Sequence, residues 1–339
     1  MARQGIYINL SATTRCDRGC SHCSFDSNMK DGTDISCQKL GKLLENLEKI
    51  KAETVFCITG GGEPLLVEHL PEITRMISKS PTTKRFTLVT SGILDNPTEK
   101  ERLRKIIQDA AQDKFRLCLS FHGFNKHYLQ RFRSTVEFLL ESNIKIFDIK
   151  VTIGRKDLEI HDQLEEILEK FKIYPLLVEP RDQRRFKMHL FQHKILDWDF
   201  HDLLVDCAYM IDCWYISLDN EKNTYVYLST QTLQQKGRAK NLPDHVFPML
   251  RPDCPLFYYD KQVRLCVNPE GHVLINSTCT HSAMIAGTVD DDITKIFRER
   301  KLFKKEALRL LLSDKRMYER KNDLCSLCPK IKTEWDARV

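Results

Sequence analysis

The sequence Arg15-Cys-Asp-Arg-Gly-Cys-Ser-His-Cys-Ser24 decides how this chain is interpreted. It places Cys16, Cys20 and Cys23 in one short loop after an apolar segment. Iron–sulfur clusters are usually closed by four thiolates, so three thiolates in a tight loop can hold a cube-shaped cluster with one iron open to a small molecule. Zinc, or thiols without a metal, are the alternatives. The spacing Cys-x3-Cys-x2-Cys differs, however, from zinc ribbons and from the Cys-x-x-Cys redox motif.

A second informative segment is the glycine-rich run Gly60-Gly-Gly-Glu-Pro-Leu-Leu66, which follows a predicted buried strand at 54–59. With the cysteine loop, it resembles the radical S-adenosylmethionine (SAM) superfamily. The signature of that family is Cys-x3-Cys-x2-Cys after the first strand of a partial barrel and Gly-Gly-Glu-Pro after the second. A carboxylate can hold an ammonium group, and glycines let the backbone approach a ligand closely. The resemblance implies that SAM is bound by Gly61, Gly62, Glu63 and Pro64.

Strand and helix signals alternate along the first half of the chain, as a parallel α/β architecture requires. The first strand is predicted at 6–10, a helix follows the capping residue Ser36, and another helix starts at Asn96-Pro97. Further helices are predicted from about residue 67 to 78 and, as the fifth, near 157–171. Counting on to a sixth strand at 174–178 predicts an α/β fold with six such strands. The resemblance implies that they form a partial (β/α)6 TIM-like barrel.

Residues at the carboxyl ends of parallel strands are the ones to examine, because ligands bind at that edge in α/β folds. The resemblance implies that the loops after strands three, four and five hold the rest of SAM, which makes Ser91, Ser120 and Thr152 candidates. The serines could equally satisfy backbone groups at strand ends. Glu63 has no packing purpose that the sequence reveals. His22 stands where the family usually has an aromatic residue near the adenine.

The C-terminal region holds a second group of cysteines around a predicted β-hairpin at 263–275 and a helix at 295–315. This region resembles the SPASM and shorter twitch extensions, small α+β domains in which a hairpin and a helix carry an auxiliary iron–sulfur cluster. Too few cysteines are present for the two extra clusters of a full SPASM domain, and zinc is an alternative to one cluster. Cys266, in mid-strand, is a reserve ligand or a small buried side chain. The preferred ligands are Cys254, Cys279, Cys325 and Cys328.

Length and composition predict a cytoplasmic protein of two domains. The motifs and the resemblance divide it into the barrel at 1–185, a substrate-contact linker at 186–236 and the auxiliary domain at 237–339. Thirteen cysteines indicate that several bind metal, and the lack of an apolar leader and of a long apolar run favours reduced thiols and excludes a membrane span. The net charge of +6 is spread among 47 acidic residues, so we expect no nucleic-acid partner. Because the cysteine loop starts at residue 16, we expect no peptide-recognition domain before it.

The resemblance implies an enzyme that reductively cleaves SAM to a 5′-deoxyadenosyl radical, which abstracts hydrogen from an unactivated carbon. An auxiliary 4Fe-4S cluster could then accept an electron, so we expect oxidation of a small-molecule or peptide substrate by dehydrogenation or bond formation. A flavodoxin or ferredoxin would supply the electron for the first 4Fe-4S cluster. The alternative is a radical epimerase with Cys207 or Cys213 as hydrogen donor, although both could be buried filler. A non-enzymatic metal scaffold is a third hypothesis.

Overall fold

Apolar residues at every second position of the strands, and on one face of the helices, set the architecture. The computed structural model describes residues 5–21, 23, 25, 27, 32–59, 61–94, 96–121, 126–142, 144, 146–153, 178–180, 213–219, 224–232, 263–274, 285–313 and 333. The strands are β1 (Ile6–Leu10), β2 (Thr54–Ile58), β3 (Thr83–Thr90), β4 (Phe115–Phe121), β5 (Ile146–Ile153), β6 (Val178–Pro180), β7 (Cys213–Asp219), β8 (Thr224–Thr232), β9 (Val263–Val267), β10 (His272–Leu274) and β11 (Ile285–Thr288). The helices are α1 (Cys37–Lys49), α2 (Leu70–Lys79), α3 (Pro97–Asp109), α4 (Lys126–Glu141) and α5 (Ile293–Ser313).

The helices begin where capping residues in the sequence predict them. Ser36 accepts a hydrogen bond from the backbone N–H of Lys39 at 3.2 Å and starts α1. Asn96 accepts from the N–H of Thr98 at 2.9 Å, with Pro97 in the first turn of α3. The helix expected from about residue 67 begins later, at Leu70, because residues 64–66 form a separate short 3-10 helix. The predicted fifth helix, near 157–171, lies outside the described residues.

The chain divides into two compact units, and the first contains Met1–Asp17, Ser27–Phe86 and Arg251–Val339. Its strand order is β11-β10-β9-β1-β2, and β1 runs parallel to both β2 and β9. The hairpin predicted at 263–275 is confirmed as antiparallel β9 and β10, but its parallel pairing with β1 was not foreseen. The domain boundaries after 185 and 236 stay a prediction.

One face of β1 is apolar and fully buried. Ile6, Ile8 and Leu10 lie on it, whereas Tyr7 and Asn9 between them are partly exposed. Helix α1 packs against α2. The side-chain amide of Asn46 in α1 donates to the carbonyl of Val289, in the C-terminal region, at 2.8 Å. The apolar face of β1 is therefore part of the core of the first unit.

The second unit contains Arg18–Asp26 and Thr87–Leu250, with the strand order β4-β5-β8-β7-β6. Strand β5 is parallel to β4 and β8, while β8 and β7, and β7 and β6, are antiparallel. Most of the sixth strand predicted at 174–178 lies outside the described residues. From Val178 the chain forms β6, which pairs antiparallel with β7, and β8 takes the parallel place beside β5. Pro180 has no N–H to donate, which suits the edge position of β6.

The class predicted from the sequence is confirmed: the fold is mixed α/β with several parallel strands, compatible with a partial TIM-like barrel. Strand β3 begins in the first unit and ends in the second. None of the helices in the described part of the chain has the length and apolarity needed to cross a bilayer.

Candidate functional site

The segment that leads into the cysteine loop is held by Asp34. Thr13 donates its hydroxyl hydrogen to Asp34 Oδ1 at 2.6 Å, and its own oxygen accepts from the backbone N–H of Arg15 at 3.0 Å. The guanidinium of Arg15 forms an ion pair with the same carboxylate, with Nε 3.1 Å from Oδ1. Arg15 directly precedes Cys16, so these contacts fix the chain where the first thiol begins.

The glycine-rich run meets the same point of the cysteine loop. The backbone N–H of Glu63 donates to the carbonyl of Arg15 at 2.8 Å. A Cβ on Gly62 would lie 2.0 Å from that carbonyl oxygen, and Gly61 has a φ of +77° with Thr13 and Ser11 against its backbone. The two motifs are therefore in direct contact. The sequence predicts that these glycines allow SAM to approach the backbone closely. In the structure, other residues of the protein itself lie against the two glycines. Contact with SAM stays a prediction.

Glu63 is buried, with 3% of its surface exposed. Its Oε1 accepts from the N–H of Leu65 at 3.2 Å and caps the short helix Pro64–Leu66. The view that this carboxylate has no packing purpose is therefore wrong, because capping is a structural role that the sequence alone did not reveal. Pro64 is buried in the first turn of that helix.

The cysteine loop presents sulfur ligands at partly exposed positions. Cys16, Cys20 and Cys23 are all half-buried, and the N–H of Cys23 donates to the carbonyl of Cys20 at 3.3 Å to close a tight turn. Gly19, just before that turn, has a φ of +61°, a left-handed conformation that favours glycine. Thiols at partly exposed positions of one loop are suitable donors for an iron–sulfur cluster. Among the described residues, no three or more His, Cys, Asp or Glu side chains are gathered as a metal site; His22 is not described.

In the second unit, the ends of β3 and β4 are joined by Tyr128. Its hydroxyl lies 2.7 Å from the carbonyl oxygen of Ser91 and also contacts the carbonyl oxygen of Ser120. The Ser91 hydroxyl accepts from Arg18 Nε at 3.0 Å. The Ser91 hydroxyl thus binds the Arg18 side chain, and the contact of Ser120 is made by its backbone carbonyl. That these two serines bind SAM stays a prediction. Thr152 lies inside β5, opposite Gln231, rather than after the strand.

Only one of the cysteines considered as ligands of the auxiliary cluster lies among the described residues. Cys266 lies within β9, opposite Leu274 of β10 and Asn9 of β1, and 8% of it is exposed. That position fits a small buried side chain. Cys213 is the first residue of β7, and its side chain is not described. The remaining cysteines of these predictions lie outside the described residues: Cys207, Cys254, Cys279, Cys325 and Cys328.

Sequence reasoning missed the residues that hold the cysteine loop in place. Arg18 pairs with Glu99 of α3 at 2.6 Å, and Asp34 pairs with Arg15. The only available signal was the presence of arginines within and beside the cysteine motif. Their acidic partners lie far along the chain, where no local pattern marks them.

Comparison with known families agrees with this geometry. Residues 10–152 match the sequence model described as the Radical SAM superfamily. This segment is a radical SAM domain. Its cofactors are SAM and a 4Fe-4S cluster, and the match includes Cys16, Cys20, Cys23 and Glu63. The recognition made from the cysteine loop and the glycine-rich run is confirmed.

The radical SAM domain also has curated relatives, named as cyclases. The chain is 26% identical over 167 residues to GTP 3',8-cyclase of Clostridium acetobutylicum, which covers 46% of this chain and 50% of the relative. It is 26% identical to probable GTP 3',8-cyclase of Methanococcus aeolicus, with 56% and 64% covered. The cyclase of Aquifex aeolicus is 30% identical over 37% of each chain. The chain thus spans less than two thirds of the length of these relatives.

Solved structures similar to this chain include two with bound AdoMet. The structure of BtrN in complex with AdoMet and 2-DOIA is 14% identical, with a TM-score of 0.42 over 90% of this chain and 87% of that one. Native anSMEcpe with bound AdoMet is 14% identical, with a TM-score of 0.49 over 86% and 80%.

Proposed function

We propose that this protein is a radical SAM enzyme that oxidises a small-molecule or peptide substrate at an unactivated carbon. The observation that carries the proposal is the contact between two motifs that are distant in sequence. The Gly-Gly-Glu run hydrogen-bonds to Arg15, one residue before Cys16, within a segment that matches the superfamily. A metal scaffold without catalysis would not need this second motif beside the cysteine loop.

The chain's own residues bind and orient the cofactors. When bound, the reduced 4Fe-4S cluster and SAM supply the 5′-deoxyadenosyl radical that abstracts hydrogen from the substrate. Cys16, Cys20 and Cys23 would hold the iron, and Glu63 would attract the ammonium group of SAM from a buried position. The protein contributes orientation and exclusion of water, because the cofactors carry the difficult chemistry.

The oxidation step forms the second part of the proposal. A substrate that has lost a hydrogen atom must lose one more electron and a proton to become a stable product two hydrogens poorer. An auxiliary 4Fe-4S cluster held by Cys254, Cys279, Cys325 and Cys328 would take that electron, and Cys266, buried within β9, is the reserve ligand. A reduced flavodoxin or ferredoxin would recharge the first cluster, in the cytoplasm.

Iron content and SAM cleavage test the core of the proposal. Anaerobically reconstituted protein should hold about eight irons, as two four-iron clusters. Replacing Cys16, Cys20 and Cys23 together by Ala should remove about half of that iron and abolish formation of 5′-deoxyadenosine. Zinc in place of iron at the C-terminal cysteines would overturn the oxidation step and leave the radical SAM assignment standing.

A second candidate function follows from the relatives, which are named GTP 3',8-cyclases. We propose GTP as the first substrate to test, since bond formation is one of the outcomes expected after hydrogen abstraction. GTP deuterated at the 3′ carbon should pass its label to 5′-deoxyadenosine if it is the substrate. Unlabelled 5′-deoxyadenosine and unchanged GTP would exclude this candidate, but not oxidation of another molecule.

The fate of hydrogen separates oxidation from epimerisation once a substrate is found. In deuterium oxide, an oxidised product should be two mass units lighter and carry no solvent deuterium at the reacting carbon. A thiol donor exchanges with water, so an epimerase would place one solvent deuterium on that carbon. Loss of turnover in Cys207→Ala or Cys213→Ala, together with that label, would favour epimerisation.

A further inference from the structure

Arg18 lies between the first two cysteines of the loop, yet its side chain is buried. Only 6% of that side chain is exposed, and its partner Glu99 is 2% exposed. The guanidinium NH2 group lies 2.6 Å from Glu99 Oε2. Burying two charges costs free energy that only good geometry and further hydrogen bonds return. Such a pair therefore specifies one arrangement of its surroundings.

The hydrogen bonds of Arg18 join the loop to one place in the second unit. Its Nε donates to the Ser91 hydroxyl at 3.0 Å, and its NH2 group also donates to the carbonyl of Ile93 at 3.0 Å. Ser91 and Ile93 belong to the connection between β3 and α3, and Glu99 lies in the first turn of α3. An acidic side chain is favoured there by the helix dipole.

This anchoring point is itself well fixed. Helix α3 is capped by Asn96 and buries Leu103 and Ile106 along one face. The Tyr128 hydroxyl holds the carbonyl of Ser91 from the other side. The connection that receives Arg18 is thus part of the packed structure.

The backbone between Arg18 and the second thiol is short. Gly19 alone separates Arg18 from Cys20, and its φ of +61° is a left-handed conformation that glycine adopts readily. Cys20 follows and starts the turn closed by the N–H of Cys23 at 3.3 Å. The position of the Arg18 side chain therefore determines where the turn with these two thiols begins.

We propose that Arg18 is a positioning residue for the cluster. Through Glu99 and Ser91 it holds the turn Cys20–Cys23 against the connection after β3, so that the thiols are ordered before iron binds and stay ordered when SAM arrives. This inference rests on the proposed function of the cysteine loop. The charged pair thus orients the thiols that bind iron, in addition to stabilising the fold.

The test compares two single variants with a double variant. Arg18→Met leaves Glu99 buried without its cation, and Glu99→Leu does the reverse, so both should lower thermal stability. Arg18→Met/Glu99→Leu removes both charges and fills the site with apolar side chains, which should restore most of that stability. Arg18→Met and the double variant lose the anchor of the loop, whereas Glu99→Leu weakens it and leaves Arg18 its hydrogen bonds to Ser91 and Ile93.

Two measurements on the reconstituted full-length protein report the cluster directly. We expect iron to pass to an added chelator about tenfold faster in the double variant than in wild type, and the SAM-induced change in the reduced cluster's electron paramagnetic resonance spectrum to be reduced. Arg18→Lys should retain part of the wild-type resistance to the chelator and part of the spectral response to SAM. The matched control is Arg104→Met, which removes an exposed pair with Glu101 on the same helix α3 and a cation–π contact with Phe138. It should match wild type in iron release and in the response of the spectrum to SAM.

The results distinguish the role proposed for Arg18 from the function proposed for the cysteine loop. A double variant with restored stability and wild-type iron release and spectrum would show that the pair only stabilises the fold, and would overturn the proposal. Wild-type protein that binds no iron at the loop would overturn the proposed function, and the role of Arg18 with it.

Discussion

The contact between the glycine-rich run and the cysteine loop can be tested by Gly62→Ala. The added Cβ would lie 2.0 Å from the carbonyl oxygen of Arg15, 2.7 Å from its carbonyl carbon and 2.9 Å from its nitrogen. All three are backbone atoms, so no side-chain rotation relieves the clash. Because real Cβ atoms essentially never come within 3.0 Å of such atoms, the two segments must move apart.

The structure sets the expected size of the effect. Overpacking of this kind costs about 1–3 kcal/mol. Separating the segments also weakens the hydrogen bond from Glu63 N–H to the Arg15 carbonyl, 2.8 Å long, which contributes about 0.5–1.5 kcal/mol. We therefore expect Gly62→Ala to lower the free energy of unfolding by about 2–4 kcal/mol. Because Arg15 precedes Cys16, iron binding should fall as well.

Two other glycines provide comparisons in urea unfolding, and Gly41, which lies outside the cysteine loop, is also the control for iron content. Gly41→Ala, inside α1 with only Met76 Cε at 3.6 Å, should stabilise by about 0.5–1 kcal/mol. Gly19→Ala meets nothing within 4 Å but has a φ of +61°, so it should cost about 1–2 kcal/mol. If Gly62→Ala unfolds within about 0.5 kcal/mol of wild type and retains its iron, the reasoning is refuted.

Three further predictions concern single side chains. Glu63→Gln keeps an acceptor for the N–H of Leu65 but loses the charge, so SAM binding measured by calorimetry should weaken by about 1.5–3 kcal/mol with the fold intact; unchanged affinity would contradict the assignment of this loop. Burial, together with the interaction with Cys57, raises the pKa of Tyr7 above its usual value near 10. The free energy of unfolding should therefore fall as pH rises above about 10, and Tyr7→Phe should lessen that fall in alkaline denaturation curves. Cys266→Ala should leave iron content unchanged and cost about 1–2 kcal/mol, whereas loss of iron would make Cys266 a cluster ligand.

Much of the local structure was predictable because its signals lie close together in sequence. Ser36 and Asn96 cap their helices as predicted, and the hairpin at 263–275 forms around Gly271 with its φ of +84°. The cysteine loop and the Gly-Gly-Glu-Pro run were sufficient to recognise the superfamily, because their chemistry depends on short, fixed spacings.

Predictions about which strands pair were less successful. The strand beside β5 is β8 rather than a segment at 174–178, and β9 pairs with β1 from the far end of the chain. Strand pairing depends on which apolar surfaces and backbone edges meet after the chain has collapsed. No short stretch of sequence indicates which strand edges will pair.

The sequence by itself determined the ligand chemistry: three thiols at fixed spacing in Cys16–Cys23, and one carboxylate, Glu63, after a run of glycines. Only the tertiary structure decided how these groups are held. It brought Gly62 against Arg15, placed Glu63 as a helix cap, and buried Arg18 with Glu99. The physical reason is that a buried ion pair or a close backbone contact needs two partners from distant parts of the chain, and each partner alone resembles an ordinary surface residue.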